Sequence, residues 1–147
     1  VPGTLESAAE PYTWESRPRG SDKVSMWWAD GFDAVVDNFR TAAEIVKRAG
    51  MTGMLVDMEQ YGGDIWTMGL QKDASELGKS FIETKSQVRR RAEMITRTIN
   101  DVCPEITLIV IHQLYDDKTE LLWNSFCDGM FAAAGPGMQI VNGNESG

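Results

Sequence analysis

Three helical stretches, each followed by a short apolar run, set the strongest limit on what this chain can fold into. The first helical period covers about Asp30 to Ala49, where Phe32, Val35, Val36, Phe39, Ala43 and Val46 recur at helical steps. Asp30 or Asp33 would cap its start and Gly50 would end it. The second starts at Ser80, where Ser80 and Glu83 form a capping-box pattern, carries Val88, Ile95, Ile99 and Val102, and closes at Pro104. The third starts near Asp117, with Glu120 at the box position. It runs through Leu121, Leu122, Phe126, Met130 and Phe131 to Gly135. The intervening runs are Gly53 to Met58, Ile106 to Ile111 and Met138 to Val141. The Ile106 to Ile111 run is apolar with one threonine and reads as a strand buried on both faces.

This alternation predicts an α/β fold with a parallel sheet and right-handed crossovers. Residues 1–29 form an irregular N-terminal segment broken by Pro2, Gly3, Pro11, Pro18 and Gly20, with a short strand expected at Val24 to Trp28. Residues 30–147 form the α/β domain. Three strands neither close a barrel nor cover a sheet, and a complete (β/α)8 barrel takes about 250 residues. The expectation is therefore a partial (β/α)8 (TIM) barrel, either a section of a larger one or a unit that completes its sheet by self-association. The chain begins at Val1, which suits a removed leader or a piece of something longer.

Composition narrows the partners. A net charge of −8 opposes nucleic acid, because binding phosphates needs a basic surface. The one basic run, Arg89-Arg90-Arg91, reads as a solvated helix face. No apolar run approaches the roughly 20 residues of a membrane span. Cys103 and Cys127 lack metal-ligand spacing and read as two buried free thiols. Neither a phosphate loop nor a Gly-x-Ser-x-Gly elbow occurs, which removes support for nucleotide and serine-hydrolase chemistry. No cofactor is expected.

The chemistry-bearing residues follow the apolar runs. The first run ends in Asp57, Glu59 and Tyr61, the second in His112, Gln113 and Tyr115, and the third in Asn142, Asn144 and Glu145. Active sites of parallel α/β folds lie at the carboxyl ends of strands. If Gly53 to Met58 is a strand, its side chains alternate faces, and Asp57 and Glu59 point the same way with Cα atoms roughly 6.6 Å apart. Retaining glycosidases hold their carboxyl groups about 5–5.5 Å apart and inverting enzymes about 6.5–9.5 Å apart. Glu59 is the candidate acid/base, with its pKa raised by burial or by its neighbour, and Asp57 is its partner. Glu145 is a candidate second carboxylate, with a solvated tail residue as the plainer reading. His112 can hydrogen-bond a hydroxyl or carboxylate, or serve structure alone. Tyr61, Trp66, Trp27 and Trp28 offer aromatic faces to a pyranose ring, with core packing as the alternative for each tryptophan. Asn144 completes the candidate substrate contacts. Trp123 reads as helix packing, and Met51, Met54, Met58 and Met68 as core fillers.

The stretch Ala49 to Gly62 resembles a strand of barrel glycoside hydrolases. With Asp37-Asn38-Phe39-Arg40 upstream, and Lys79-Ser80-Phe81 and Gln87-Val88-Arg89-Arg90-Arg91 downstream, it is similar to a group of largely uncharacterised bacterial barrel proteins associated with glycans. This resemblance spans the chain from about Trp27 onward and implies an internal section of a (β/α)8 barrel acting on a polysaccharide or oligosaccharide. It implies a bacterial setting, with secretion as one compartment. A more distant likeness is to the chitinase-type run D-x-x-D-x-D-x-E. Its final D-x-E falls on Asp57 and Glu59, while Thr52 and Leu55 stand at the earlier acids. That likeness implies Glu59 as proton donor and Asp57 as the group orienting an acetamide. Asn144-Glu145 resembles the Asn-Glu pair of another barrel glycosidase clan. The rival expectation is a noncatalytic glycan-binding or structural barrel fragment.

Overall fold

The computed structural model describes residues 25–58, 66, 78–111 and 122–143. Within them the order is α1 (Ser25–Trp28), α2 (Phe32–Arg48), β1 (Gly53–Asp57), α3 (Phe81–Val102), β2 (Thr107–Ile111), α4 (Leu122–Ala133) and β3 (Gln139–Asn142). The three strands pair in parallel in the order β1-β2-β3, so each successive strand adds at the same edge. No described helix is long and apolar enough to cross a membrane.

The three long helices of the described residues pack on one face of this sheet. Leu108 and Val110 of β2 point into them and are buried. A crevice of about 20 Å³ marks where Phe39 of α2, Ile99 of α3 and Phe126 of α4 meet Val56, Leu108 and Val110. Among the described residues the other face carries no helix. In register across it lie Leu55, Ile109 and Val141, which are 61%, 38% and 42% exposed. β2 is thus buried on one face only, contrary to the reading of its apolar run. Continuous apolarity in a strand reports that both faces are meant to be covered; which face the helices of this chain cover depends on how they cross over.

Local chemistry accounts for the helix ends. Ser80 accepts a hydrogen bond from the Glu83 backbone N–H, and the Glu83 carboxylate accepts from the Ser80 backbone N–H, closing the expected capping box. The Ser80 hydroxyl also donates to the Glu83 carboxylate at 2.7 Å, and this bond, together with the one from the Ser80 backbone N–H, holds the Glu83 carboxyl below its usual range. Gly50 ends α2 with a left-handed φ of 67°, a conformation that costs other residues dearly. The start of α2 differs from expectation. Gly31 is the N-cap and no side chain caps it, because the helix begins at Phe32, between the two aspartates proposed for the role. The segment read as a strand at Val24 to Trp28 holds instead the single helical turn of α1. Its adjacent bulky tryptophans suit a strand by propensity, but Trp27 is pulled into the core from a helical turn. The third helix has its first described helical residue at Leu122, and its proposed cap near Asp117 lies outside the described residues.

The closest helix packing is between α3 and α4. A Cβ on Gly129 would strike the Arg89 carbonyl oxygen and come within 2.7 Å of the Ala92 Cβ, so only glycine permits this approach. Beyond α4, the Gly135 N–H donates to the Asn100 side-chain oxygen at 3.2 Å, tying the next turn back to α3. Of the methionines, Met54 and Met58 pack against the core as expected, Met51 is 50% exposed, and Met68 lies outside the described residues. Met51 follows the αL turn at Gly50 and sits before the strand begins, at the mouth of a cleft between α2 and α3.

Two outcomes follow. Gly129→Ala should lower unfolding free energy by about 1–3 kcal/mol in urea titration, because the added methyl forces α3 and α4 apart. Val110→Ala should cost about 2 kcal/mol and the adjacent Ile109→Ala under about 1 kcal/mol, the contrast reading which face the helices cover.

Candidate functional site

The polar rim at the carboxyl end of the sheet is built from the strand ends. Asp57 is the last residue of β1, paired with Ile111, and the next residue continues the ladder through Met58 N–H to the Ile111 carbonyl at 3.2 Å. By alternation from Leu55, Asp57 points to the helix-free face, and it is exposed. Asn142 closes β3 opposite Val110 and so belongs to the helix-covered side. Asp57 and Asn142, which the strand-end pattern grouped together, therefore lie on opposite faces of the sheet. The reason is a one-residue offset: Asp57 is level with Ile111, Asn142 with Val110.

Strand β1 stops at Asp57, short of the continuation that would place Glu59 on the same face. Glu59, Tyr61, His112, Asn144 and Glu145 lie outside the described residues.

The tryptophans are the main departure from the sugar-platform expectation. Trp27 and Trp66 are 2% and 1% exposed. Their rings lie 5.3 Å apart and both pack on Phe126 of α4, while Trp66 also meets Trp123 edge-on at 4.9 Å. A ring with no open face cannot stack on a pyranose, so in this conformation Trp27 and Trp66 are core residues. Trp123 is fully buried, as expected of a packing residue. Trp28 is half-buried, with the Lys79 Nζ 4.6 Å from its ring centroid.

This aromatic cluster sits at the same carboxyl end as Asp57. The Trp66 indole N–H donates to the Met58 carbonyl at 3.0 Å, and its own carbonyl accepts from the Leu122 N–H at the start of α4 at 3.2 Å. One residue thereby bridges the end of β1 to the beginning of α4. The Trp27 and Trp28 indole nitrogens are buried and have no hydrogen-bond partner among the described residues. Each such donor costs about 1–3 kcal/mol of lost solvation. The cluster was only half legible in sequence. Trp123 and Phe126 stand three apart on one helical face, but nothing local signals that Trp27 and Trp66 converge on them.

The arginine run also divides. Arg89 pairs with Glu93 at 3.3 Å and Arg90 with the Gln87 side chain, both exposed as expected. Arg91 departs: it lies 4.3 Å over the Phe32 ring and donates to the carbonyls of Trp27 and Ala29. Helical spacing turns Arg91 from its neighbours toward α1.

At the opposite, amino-terminal end of the sheet lies a cleft of about 370 Å³ between α2 and α3, lined by Val46, Met51, Val102, Cys103, Pro104 and Ile106. It is remote from the polar rim. Neither cysteine is in a disulfide, but only Cys127 is fully buried; Cys103 reaches the cleft, its thiol 3.5 Å from the Ala43 carbonyl. Burial, with Asp128 nearby, pushes the Cys127 thiol up to about 12. Among the described residues no group of three His, Cys, Asp or Glu side chains is placed to hold a metal ion.

No protein-family model, curated protein or solved structure matches this chain.

A thiol-exchange reagent at mildly alkaline pH should titrate one thiol, Cys103, in the folded protein and two after denaturation. Fast reaction of both in the native state would contradict the buried placement of Cys127.

Proposed function

We propose that this chain is a section of a (β/α)8 barrel that hydrolyses glycosidic bonds of a polysaccharide or oligosaccharide, with its chemistry at the carboxyl rim of the sheet. The observation that carries the proposal is the position of Asp57. It ends a strand of a sheet whose neighbours follow chain order, and it points away from the helices. Sequential parallel strands with the long helices of the described residues on one side are the arrangement that curls into a barrel, helices outward. The helix-free row Leu55, Ile109 and Val141 then supplies the branched apolar residues of a barrel interior, and Asp57 stands above that row at the mouth.

In this reading Glu59 acts as general acid, protonating the departing glycosidic oxygen, and Asp57 tunes or orients it. Glu145 serves as a second carboxylate. Tyr61, His112 and Asn144 contact the sugar. These roles rest on residue type and order along the chain, and on the resemblance to barrel glycoside hydrolases.

The test is reducing-sugar release from a broad polysaccharide panel by the wild type and by Glu59→Gln. Loss of the general acid should lower kcat by about 10²–10⁴-fold while the circular dichroism spectrum stays unchanged. A folded wild type that releases nothing, yet retains polysaccharide in affinity electrophoresis, would assign the chain to glycan binding without turnover.

A further inference from the structure

α1 is fastened in an unusual way. The side-chain hydrogen bonds that hold its turn, among the described residues, all end on backbone acceptors: Gln87 Nε2 donates to the Trp27 carbonyl at 3.0 Å, Arg91 Nε to the same oxygen at 3.2 Å, and Arg91 Nη2 to the Ala29 carbonyl at 3.1 Å. The indole that fills the core contributes no hydrogen bond. A buried tryptophan usually finds an acceptor for its N–H, and Trp66 beside it has one in the Met58 carbonyl. Trp27 and Trp28 have none among the described residues, so two adjacent donors in one turn are buried there without a protein acceptor.

Around the Trp27 ring stand Phe32 at 6.2 Å, Trp66 at 5.3 Å and Phe126 at 6.0 Å. These rings come from α2, from the residue that bridges β1 to α4, and from α4 itself. Without α1 they would wall an aromatic chamber at the carboxyl end of the sheet, beside Met58 and hence one residue from Asp57.

We propose that α1 is an internal plug: Trp27 occupies this chamber, and withdrawal of α1 opens it to a sugar ring. Undocking returns both indole N–H groups to water; among the described residues it breaks the hydrogen bonds from Gln87 and Arg91, the Lys79 contact with the Trp28 ring and the ring contacts of Trp27. The vacated space is lined by aromatic faces, on which the C–H face of a pyranose packs. The sugar as occupant rests on the glycan reading above; the plug itself does not.

The test is hydrogen exchange of the five indole N–H groups of the whole chain, followed by NMR across low urea concentrations. The Trp27 indole should exchange through a local opening. Its rate should be insensitive to urea and on the order of 100-fold faster than those of Trp66 and Trp123, which follow global unfolding. Arg91→Ala should speed Trp27 exchange by on the order of 10- to 100-fold and leave Trp123 unchanged, while Arg90→Ala, on the exposed side, should change neither rate. Exchange of Trp27 at the urea-dependent rate of Trp123 in the wild type would overturn the plug, and that measurement needs no variant to fold. Cello- or chito-oligosaccharides should accelerate Trp27 exchange further by selecting the open state. Local opening that these sugars leave unchanged would uphold the plug and overturn the sugar as its occupant.

Discussion

Everything in this molecule depends on the burial of one face of a three-stranded parallel sheet. Leu108 and Val110 at the centre of that face are almost fully excluded from water, and α2, α3 and α4 all converge on them. Because each strand is added beside the last, each crossover lays its helix on the same side. The helices must then pack against one another as well as against the sheet. Gly129 meets that demand by letting α4 press against the Arg89 and Ala92 backbone turn of α3.

The same constraint creates the bare side. Leu55, Ile109 and Val141 form a level apolar row that no element of the described residues covers. Parallel sheets are seldom left this way, since their strands carry apolar residues on both faces. The row and the placement of Asp57 above it are two consequences of one alternation along the strands, which is why a barrel interior with a polar mouth is the economical account of both.

The carboxyl end is where packing and chemistry meet. Trp66 binds the Met58 carbonyl and the start of α4, and Trp27 leans on Trp66 from a turn held by Arg91. The aromatic residues that sequence reasoning placed in a sugar cleft are thus beside the polar rim, but turned inward. Their location supports the glycan reading more than their exposure does.

Much of this was legible in the order of residues. The helical periods before Gly50 and Pro104, the capping box at Ser80 and Glu83, and the apolar runs from Gly53 and Ile106 are local signals, and each describes an element whose ends are set within a few residues of backbone. Period and capping depend on neighbours one turn or one pleat away, so the chain itself determined them. What the tertiary structure decided are the relations between elements. Which face of the sheet the helices cover, the one-residue offset that sends Asn142 to the side opposite Asp57, the inward turn of Trp27 and Trp66, and the separation of Arg91 from its two neighbours all require contacts between residues distant in sequence. Such contacts leave no periodic trace along the chain, because they are chosen by the shape of the space that remains once helices and strands have packed.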